Sequence, residues 1–122
     1  MATIKSFTSL EQSKVLAEIL PHETADMCIG NYVGKSGKVD GTNIHYYPKG
    51  ESFGAPQIIE AWSLAALVSV LPLVDFTMPQ LIGTPKTLYR CIYNDDLKSH
   101  AYDNPVDACY EMILKLHELK ML

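Results

Sequence analysis

Aspartate and histidine side chains near two predicted hairpins are the groups of this 122-residue chain best suited to acid–base chemistry. Such side chains act as general acids and bases when they meet in one pocket, and carboxylates can also hold a cation. The segment NDDL is equally typical of a turn, which favours a structural role for its aspartates. One hypothesis is therefore a small hydrolase or nucleotide-processing enzyme. It requires several of these side chains to converge: His45, Asp95, Asp96, His100 and Asp103.

The histidines and cysteines lack the spacing that common metal sites and nucleophilic centres require. No two histidines form an HxH or HxxxH pair, and no close cysteine or histidine pair suggests structural zinc. The sequence has no G-x-S-x-G elbow, and Cys91 and Cys109 are typical of small core residues. We therefore predict no metal, no cofactor and no catalytic residue for a non-enzymatic protein, which is the interpretation we favour.

The segment GNYVGKS, Gly30–Ser36, is close to the phosphate-binding P-loop motif G-x-x-x-x-G-K-[ST] but has one residue fewer between its glycines. A P-loop opens a helix whose N-terminus holds the phosphate, whereas GKVDGT follows here and indicates a loop. A solvated hairpin tip is the favoured interpretation. Lys35 and Lys38 in this loop are candidate contacts to an anionic ligand.

Tyrosines and the sole arginine complete the set of candidate ligand-binding residues. Tyrosines on a sheet can stack on a base or line a groove, although half-buried strand residues with solvated hydroxyls are commoner. Arg90 lies in a predicted strand, where it can pair with a carboxylate, the favoured role, or reach an anionic ligand. The predicted ligand-binding residues are Lys35, Lys38, Tyr46, Tyr47 and Arg90.

The most apolar stretch, Trp62–Pro72 (WSLAALVSVLP), predicts the central helix around which the rest of the chain packs. Ser63 can cap its first turn, and Pro72 ends it because the residue before a proline avoids helical geometry. A helix this short needs burial by other segments to be stable. Its predicted buried face comprises Leu64, Leu67, Val68 and Leu71.

Two further helices are predicted, Thr8–Leu20 and Pro105–Lys120. Thr8 and Glu11 have capping-box spacing, and Asn104 caps a last helix that has proline at its first position. The predicted core face of the last helix comprises Val106, Cys109, Met112, Ile113, Leu116 and Leu119. A second, semi-apolar stripe beside it indicates either scattered surface residues or a self-association face. That stripe comprises Tyr110, Leu114, His117 and Met121.

Alternating apolar residues and turn signals predict antiparallel strands between the helices. The predicted strands are Ala25–Val33, Ile44–Tyr47, Phe76–Ile82, Thr87–Asn94 and a returning partner, Lys98–Tyr102. The loop Gly34–Asn43 joins the first two, and Pro79 restricts Phe76–Ile82 to an edge or irregular strand. The predicted fold class is α+β, with three helices packed on a small antiparallel sheet in the order α-β-β-α-β-β-(β)-α.

Composition limits the possible partners and compartments. The formal net charge is −4 and no basic stripe is present, which argues against nucleic acid as a partner. The N-terminal residues lack the apolar region of a signal peptide, and no apolar run reaches the ~20 residues that span a bilayer. Three cysteines, odd in number and far apart, favour reduced thiols. We therefore expect a single cytoplasmic domain with no membrane partner.

Three segments carry a resemblance to a known family: QSKVLAEILPHETADM (Gln12–Met27), AWSLAALVSVLP (Ala61–Pro72) and DNPVDACYEMILKLHEL (Asp103–Leu119). Together they resemble a family of small uncharacterised proteins of gut anaerobes (Bacteroides-type) and their prophages or mobile elements. The segments cover somewhat over a third of the chain, and the last is the most specific. The resemblance implies a shared fold, because the segments fall on predicted core helices, and it implies no catalytic residues.

The favoured functional hypothesis is a small non-enzymatic accessory protein of phage or mobile-element origin. It would act by binding a protein partner or a small anionic, nucleotide-like ligand, because the sequence contains no convergent polar motif. By analogy, some phage proteins sequester nucleotides that act in immune signalling, and this protein would bind its ligand in a similar way. We also expect a homo-oligomer. The alternative remains the small hydrolase described above.

Overall fold

The structure, a computed structural model, describes residues 5–31, 44–48, 57–74, 77–83 and 88–122. Within these ranges it has three helices: α1 (Leu10–Ala17), α2 (Leu64–Val70) and α3 (Pro105–Glu118). Its strands are β1 (Met27–Asn31), β2 (Ile44–Pro48), β3 (Gln57–Ala61), β4 (Gln80–Gly83) and β5 (Tyr89–Ile92). The predicted α+β class and element order are confirmed. None of the helices in these ranges is long and apolar enough to cross a membrane.

The strands form two antiparallel sheets, where one small sheet was predicted. The first has the order β2-β1-β3 and the second pairs β4 with β5. The predicted pairing of the first two strands is confirmed, with Ile29 opposite Tyr46. β3 was predicted only as a lead-in to the central helix, but it pairs with the other edge of β1, placing Ile59 opposite Ile29. A five-residue segment finds such a partner through contacts distant in sequence, which its local pattern does not indicate.

The predicted return of Lys98–Tyr102 alongside β5 is present as two separate bridges, Tyr89 with Tyr102 and Ile92 with Lys98. Between them, the Cys91 amide donates to the Ser99 hydroxyl at 2.9 Å. The Ser99 amide in turn donates to the Cys91 carbonyl at 2.8 Å. A side chain thus replaces one main-chain acceptor, which interrupts the ladder while keeping the two segments together.

The core forms where α2 and α3 meet the sheets. Trp62 and Leu67 are completely buried, and the Trp62 indole donates to Thr24 Oγ1 at 2.9 Å. Cys91 and Cys109 are buried core residues as predicted, and Ser63 caps α2 through the Ala66 amide. Nearly all of the predicted core face of α3 is buried.

Two residues assigned to core faces are exposed, which corrects the prediction. Val68 on α2 is 39% exposed, because the seven-residue helix buries its Ala66–Leu67 side instead. Leu119 is 57% exposed, because α3 ends at Glu118 and Leu119 is its C-cap.

The start of α1 also differs from the prediction. The helix begins at Leu10, with Ser9 as N-cap and Gln12 completing the capping box, in place of Thr8 and Glu11. Thr8 is completely buried and has other partners. Its hydroxyl lies 2.8 Å from Ser13 Oγ and accepts from the Trp62 amide at 3.1 Å.

A polar network joins the segment before α1 to the start of α3. Asp107 Oδ1 accepts from Lys5 Nζ at 2.9 Å and from Gln12 Nε2 at 2.7 Å, and Asp107 Oδ2 accepts from Asn104 Nδ2. Burial acts to raise the pKa of Asp107, but these hydrogen bonds and the Lys5 charge outweigh it, so the pKa is lowered. The ionised carboxylate therefore stabilises the folded state.

We expect Asp107→Asn to lower the free energy of unfolding by about 1 kcal/mol at pH 7 and by much less at pH 3. A lowered folded-state pKa gives stability that is complete above the unfolded value of about 3.9 and is lost as the pH falls through the folded value. Urea unfolding at both pH values measures the difference. The exposed Glu118→Gln on the same helix is the control, and an Asp107→Asn deficit that does not shrink at pH 3 would contradict the assignment.

Candidate functional site

A polar cleft lies between β5, the turn that follows it, the returning segment and the second half of α3. Its volume is about 230 Å³. The described residues that line it are Arg90, Asp95, Asp96, Lys98, Ser99, His100 and Lys115. We call this feature the Arg90 cleft.

Asn94 shapes the turn on one side of the cleft. Its Oδ1 accepts from the amides of Asp96 and Leu97, both at 2.8 Å, in an Asx turn. Leu97 is buried, and its carbonyl accepts from the Tyr93 amide at 2.9 Å. The turn is thereby anchored in the core while the Asp95 and Asp96 side chains stay exposed.

Glu111 organises the other side of the cleft. Its Oε1 lies 2.6 Å from His100 Nδ1 and accepts from the Tyr102 hydroxyl at 2.8 Å, while Oε2 accepts from the His100 amide at 2.7 Å. Burial acts to raise the pKa of Glu111, but these hydrogen bonds and His100 lower it overall. The hydrogen bond to Glu111, together with burial, raises the pKa of Tyr102 to about 12. Because Glu111 is an acceptor, it favours the tautomer of His100 with the proton on Nδ1. The other ring nitrogen, Nε2, can then accept a hydrogen bond or a proton, and the His100 side chain is 81% exposed.

The three cations of the cleft have different surroundings. Lys115 Nζ donates to the Lys98 carbonyl at 2.9 Å and lies 3.8 Å from Glu111 Oε2, so it ties α3 to the returning segment. The Arg90 guanidinium and the Lys98 ammonium make no hydrogen bond or ion pair with any residue that the structure describes. Arg90 is partly buried, whereas Lys98 is exposed.

The structure brings together some of the predicted site residues. Arg90, Asp95, Asp96 and His100 all line the cleft. Asp103 is not among its described lining residues and instead accepts from Asn104 Nδ2 at 2.8 Å. Among the described residues, no carboxylate forms an ion pair with Arg90.

The other predicted ligand-binding residues are not placed at this cleft. Lys35 and Lys38 lie outside the described residues, and of His45 and Tyr47 only the β2 backbone is described. Tyr46 belongs to the other sheet, where its ring centroid lies 4.1 Å from that of Phe7. Burial raises the pKa of Tyr46.

Lys98, Lys115 and Glu111 were not predicted as site residues. Glu111 and Lys115 are spaced i, i+4 on α3, which indicates no more than an ion pair along one helix. The role of Glu111 depends on His100, eleven residues earlier on another element. No local pattern indicates that contact.

The second stripe of α3 is partly covered. Tyr110 is half-buried against the core and Leu114 is half-buried, whereas His117 and Met121 are exposed. Within the described ranges, no group of three or more histidine, cysteine, aspartate or glutamate side chains is arranged to hold a metal ion.

No protein-family model, curated protein or solved structure matches this chain. The geometry of the cleft is therefore the evidence for its function.

Proposed function

We propose that this protein is a small binding protein and that the Arg90 cleft holds the anionic group of its ligand. The observation that carries the proposal is Arg90, a partly buried residue that lines the cleft and lacks a carboxylate partner among the described residues. The three segments that resemble proteins of gut anaerobes and their mobile elements favour an accessory protein of phage or mobile-element origin. Three free, buried cysteines fit the reducing cytoplasm.

An arginine that lines a cleft without a carboxylate partner in the described part of the chain favours an anion for a physical reason. A guanidinium stays charged at any physiological pH and presents donors in a planar fork that matches a phosphate or carboxylate. Removing it partly from water costs free energy unless an opposite charge or hydrogen-bond acceptors compensate. An anionic ligand group at Arg90 supplies that compensation, and Lys98 adds a second positive charge.

The size of the cleft limits what it can enclose. Pockets that enclose a whole drug-sized ligand usually measure about 300–1,000 Å³, whereas the Arg90 cleft measures about 230 Å³. One phosphate or carboxylate group therefore fits, and the rest of a nucleotide-like ligand would extend over the surface. Asp95 and Asp96 also line the cleft but are exposed, so the high dielectric constant of water reduces their repulsion of an anion without removing it. They can accept hydrogen bonds from hydroxyl or amine groups of the same ligand.

Isothermal titration calorimetry with inorganic pyrophosphate at low ionic strength tests the proposal. We expect saturable binding with one site per chain, weakened by added salt because the contacts are electrostatic. Heats no larger than those of a sodium chloride titration at matched ionic strength would contradict it.

A hydrolase is the second candidate, and the His100–Glu111 arrangement favours it. A histidine held at Nδ1 by a carboxylate, with Nε2 exposed, has the geometry of a general base. The titrated samples separate the two candidates when they are assayed for orthophosphate. Release of orthophosphate that depends on His100 would replace the binding proposal with the enzymatic one.

We also propose that the protein self-associates through the second stripe of α3. Leu114→Glu is then expected to dissociate the oligomer without unfolding it, because the charge enters a half-buried position at the interface. Sedimentation velocity measures the oligomer and circular dichroism checks the fold. Ser69→Glu on the exposed side of α2 is the matched control. An identical sedimentation profile for Leu114→Glu and the wild type would count against the interface.

A further inference from the structure

A second cavity lies where the end of α1 packs on β3, an edge strand of the first sheet. Its volume is about 320 Å³, which exceeds that of the Arg90 cleft. The described residues that line it are Ala17, Leu20, His22, Ile59 and Glu60. The His22 side chain is 71% exposed, so the cavity opens to solvent at this residue.

Glu60 is the exceptional group in this cavity. Its Oε2 is buried and has no hydrogen-bond partner, and no described residue donates to the carboxylate. Most buried polar atoms in proteins have a partner, and an unsatisfied one costs about 1–3 kcal/mol, more when it is charged. An ionised carboxylate only accepts hydrogen bonds, so the missing partner must be a donor. Because the last torsion of a glutamate is broad, a partial rotation brings Oε2 within reach of a donor in the cavity.

We propose that this cavity binds a small organic cation, an alkylammonium or amidinium group attached to a short apolar chain. The N–H donors of the cation bind the Glu60 carboxylate, and the apolar chain packs against Leu20 and Ile59. Glu23, whose Oε1 lies 3.7 Å from His22 Nε2, adds negative charge near the opening. The site is separate from the Arg90 cleft and selects the opposite charge, so it does not depend on the function proposed above.

The probe is n-butylammonium chloride, titrated into the ¹⁵N-labelled full chain and followed by ¹H–¹⁵N correlation spectra. We expect saturable shifts at the amides of Leu20, His22 and Glu60, and none with sodium butyrate at matched ionic strength. Glu60→Gln is expected to weaken the affinity at least about tenfold, since it removes a charge-assisted hydrogen bond.

Two further variants make the result decisive. Ala17→Leu fills the cavity without changing any charge, and we expect it to weaken binding while α1 is retained. Glu18→Gln removes the same charge as Glu60→Gln from an exposed position outside the described lining, and we expect it to leave the affinity unchanged. The proposal is overturned if the wild type shows no saturable shift. It is also overturned if Glu60→Gln binds normally, or if Glu18→Gln weakens binding as much as Glu60→Gln does.

Discussion

Replacing Leu67 by alanine is expected to lower the free energy of unfolding by about 2–5 kcal/mol. Leu67 is completely buried in the core that α2 forms with α3. Truncation loses the transfer free energy of the side chain and leaves a cavity that the surrounding residues fill only in part. The effect should be large because α2 has only seven residues and depends on tertiary packing for its stability.

Urea unfolding at pH 7 measures the change, and Val68→Ala provides a control on the same helix. Val68 is 39% exposed, so its truncation should change the free energy of unfolding by no more than about 0.5 kcal/mol. A loss well under 1 kcal/mol for Leu67→Ala would show that the core is centred elsewhere.

The second large effect is expected at the cleft, where Arg90→Gln should weaken pyrophosphate binding at least about tenfold. The substitution keeps a polar side chain of moderate length but removes the charge and the forked donors. A hydrogen bond between charged groups contributes about 1.5–3 kcal/mol, and each 1.4 kcal/mol is a factor of ten in affinity. Calorimetry under the conditions used for the wild type measures the change.

Lys14→Gln is the matched control for Arg90→Gln. It removes one positive charge from an exposed position on α1 that is not among the described residues of the cleft. We expect its pyrophosphate affinity to equal that of the wild type within about twofold, because an exposed charge outside the cleft acts on the ligand only through the high dielectric constant of water. Equal losses in the two variants would mean that the binding reflects net charge alone.

Local patterns predicted the helices well because their signals lie within one turn. Asn104, Pro105 and Asp107 mark the start of α3 correctly, and Ser63 marks that of α2. The N-cap of α1 was predicted one residue too early, at Thr8 in place of Ser9. Thr8 can also cap a helix, but its hydroxyl is buried in the core, where it accepts from the Trp62 amide. Tertiary contacts decide between neighbouring residues that are both capable of capping.

Strand pairing could be predicted only in part. The alternation in Thr87–Asn94 predicted a strand, which is present as β5, and Cys91 is a buried core residue as predicted. β3 was missed because its partner, β1, lies about thirty residues away and the pairing follows from neither segment alone. The division into two sheets follows from the same non-local choice.

The candidate site could likewise be predicted only in part, because some of its features depend on residue type and others on contacts distant in sequence. Arg90, Asp95, Asp96 and His100 stood out by residue type, and the hairpin brings them to one cleft. Their setting depends on the packing of α3 against β5, which presents Glu111 to His100 and Lys115 to the Lys98 carbonyl. Contacts of this kind, eleven and seventeen positions apart, leave no periodic signal in the sequence.

The most direct test of the anion-binding proposal is to map pyrophosphate onto the chain by ¹H–¹⁵N correlation spectra. The proposal predicts saturable, salt-sensitive shifts centred on the amides of Arg90, Lys98, His100 and Lys115, and Arg90→Gln should need at least about tenfold more pyrophosphate to produce them. The absence of saturable shifts, or saturable shifts that leave these four amides unchanged, would contradict it.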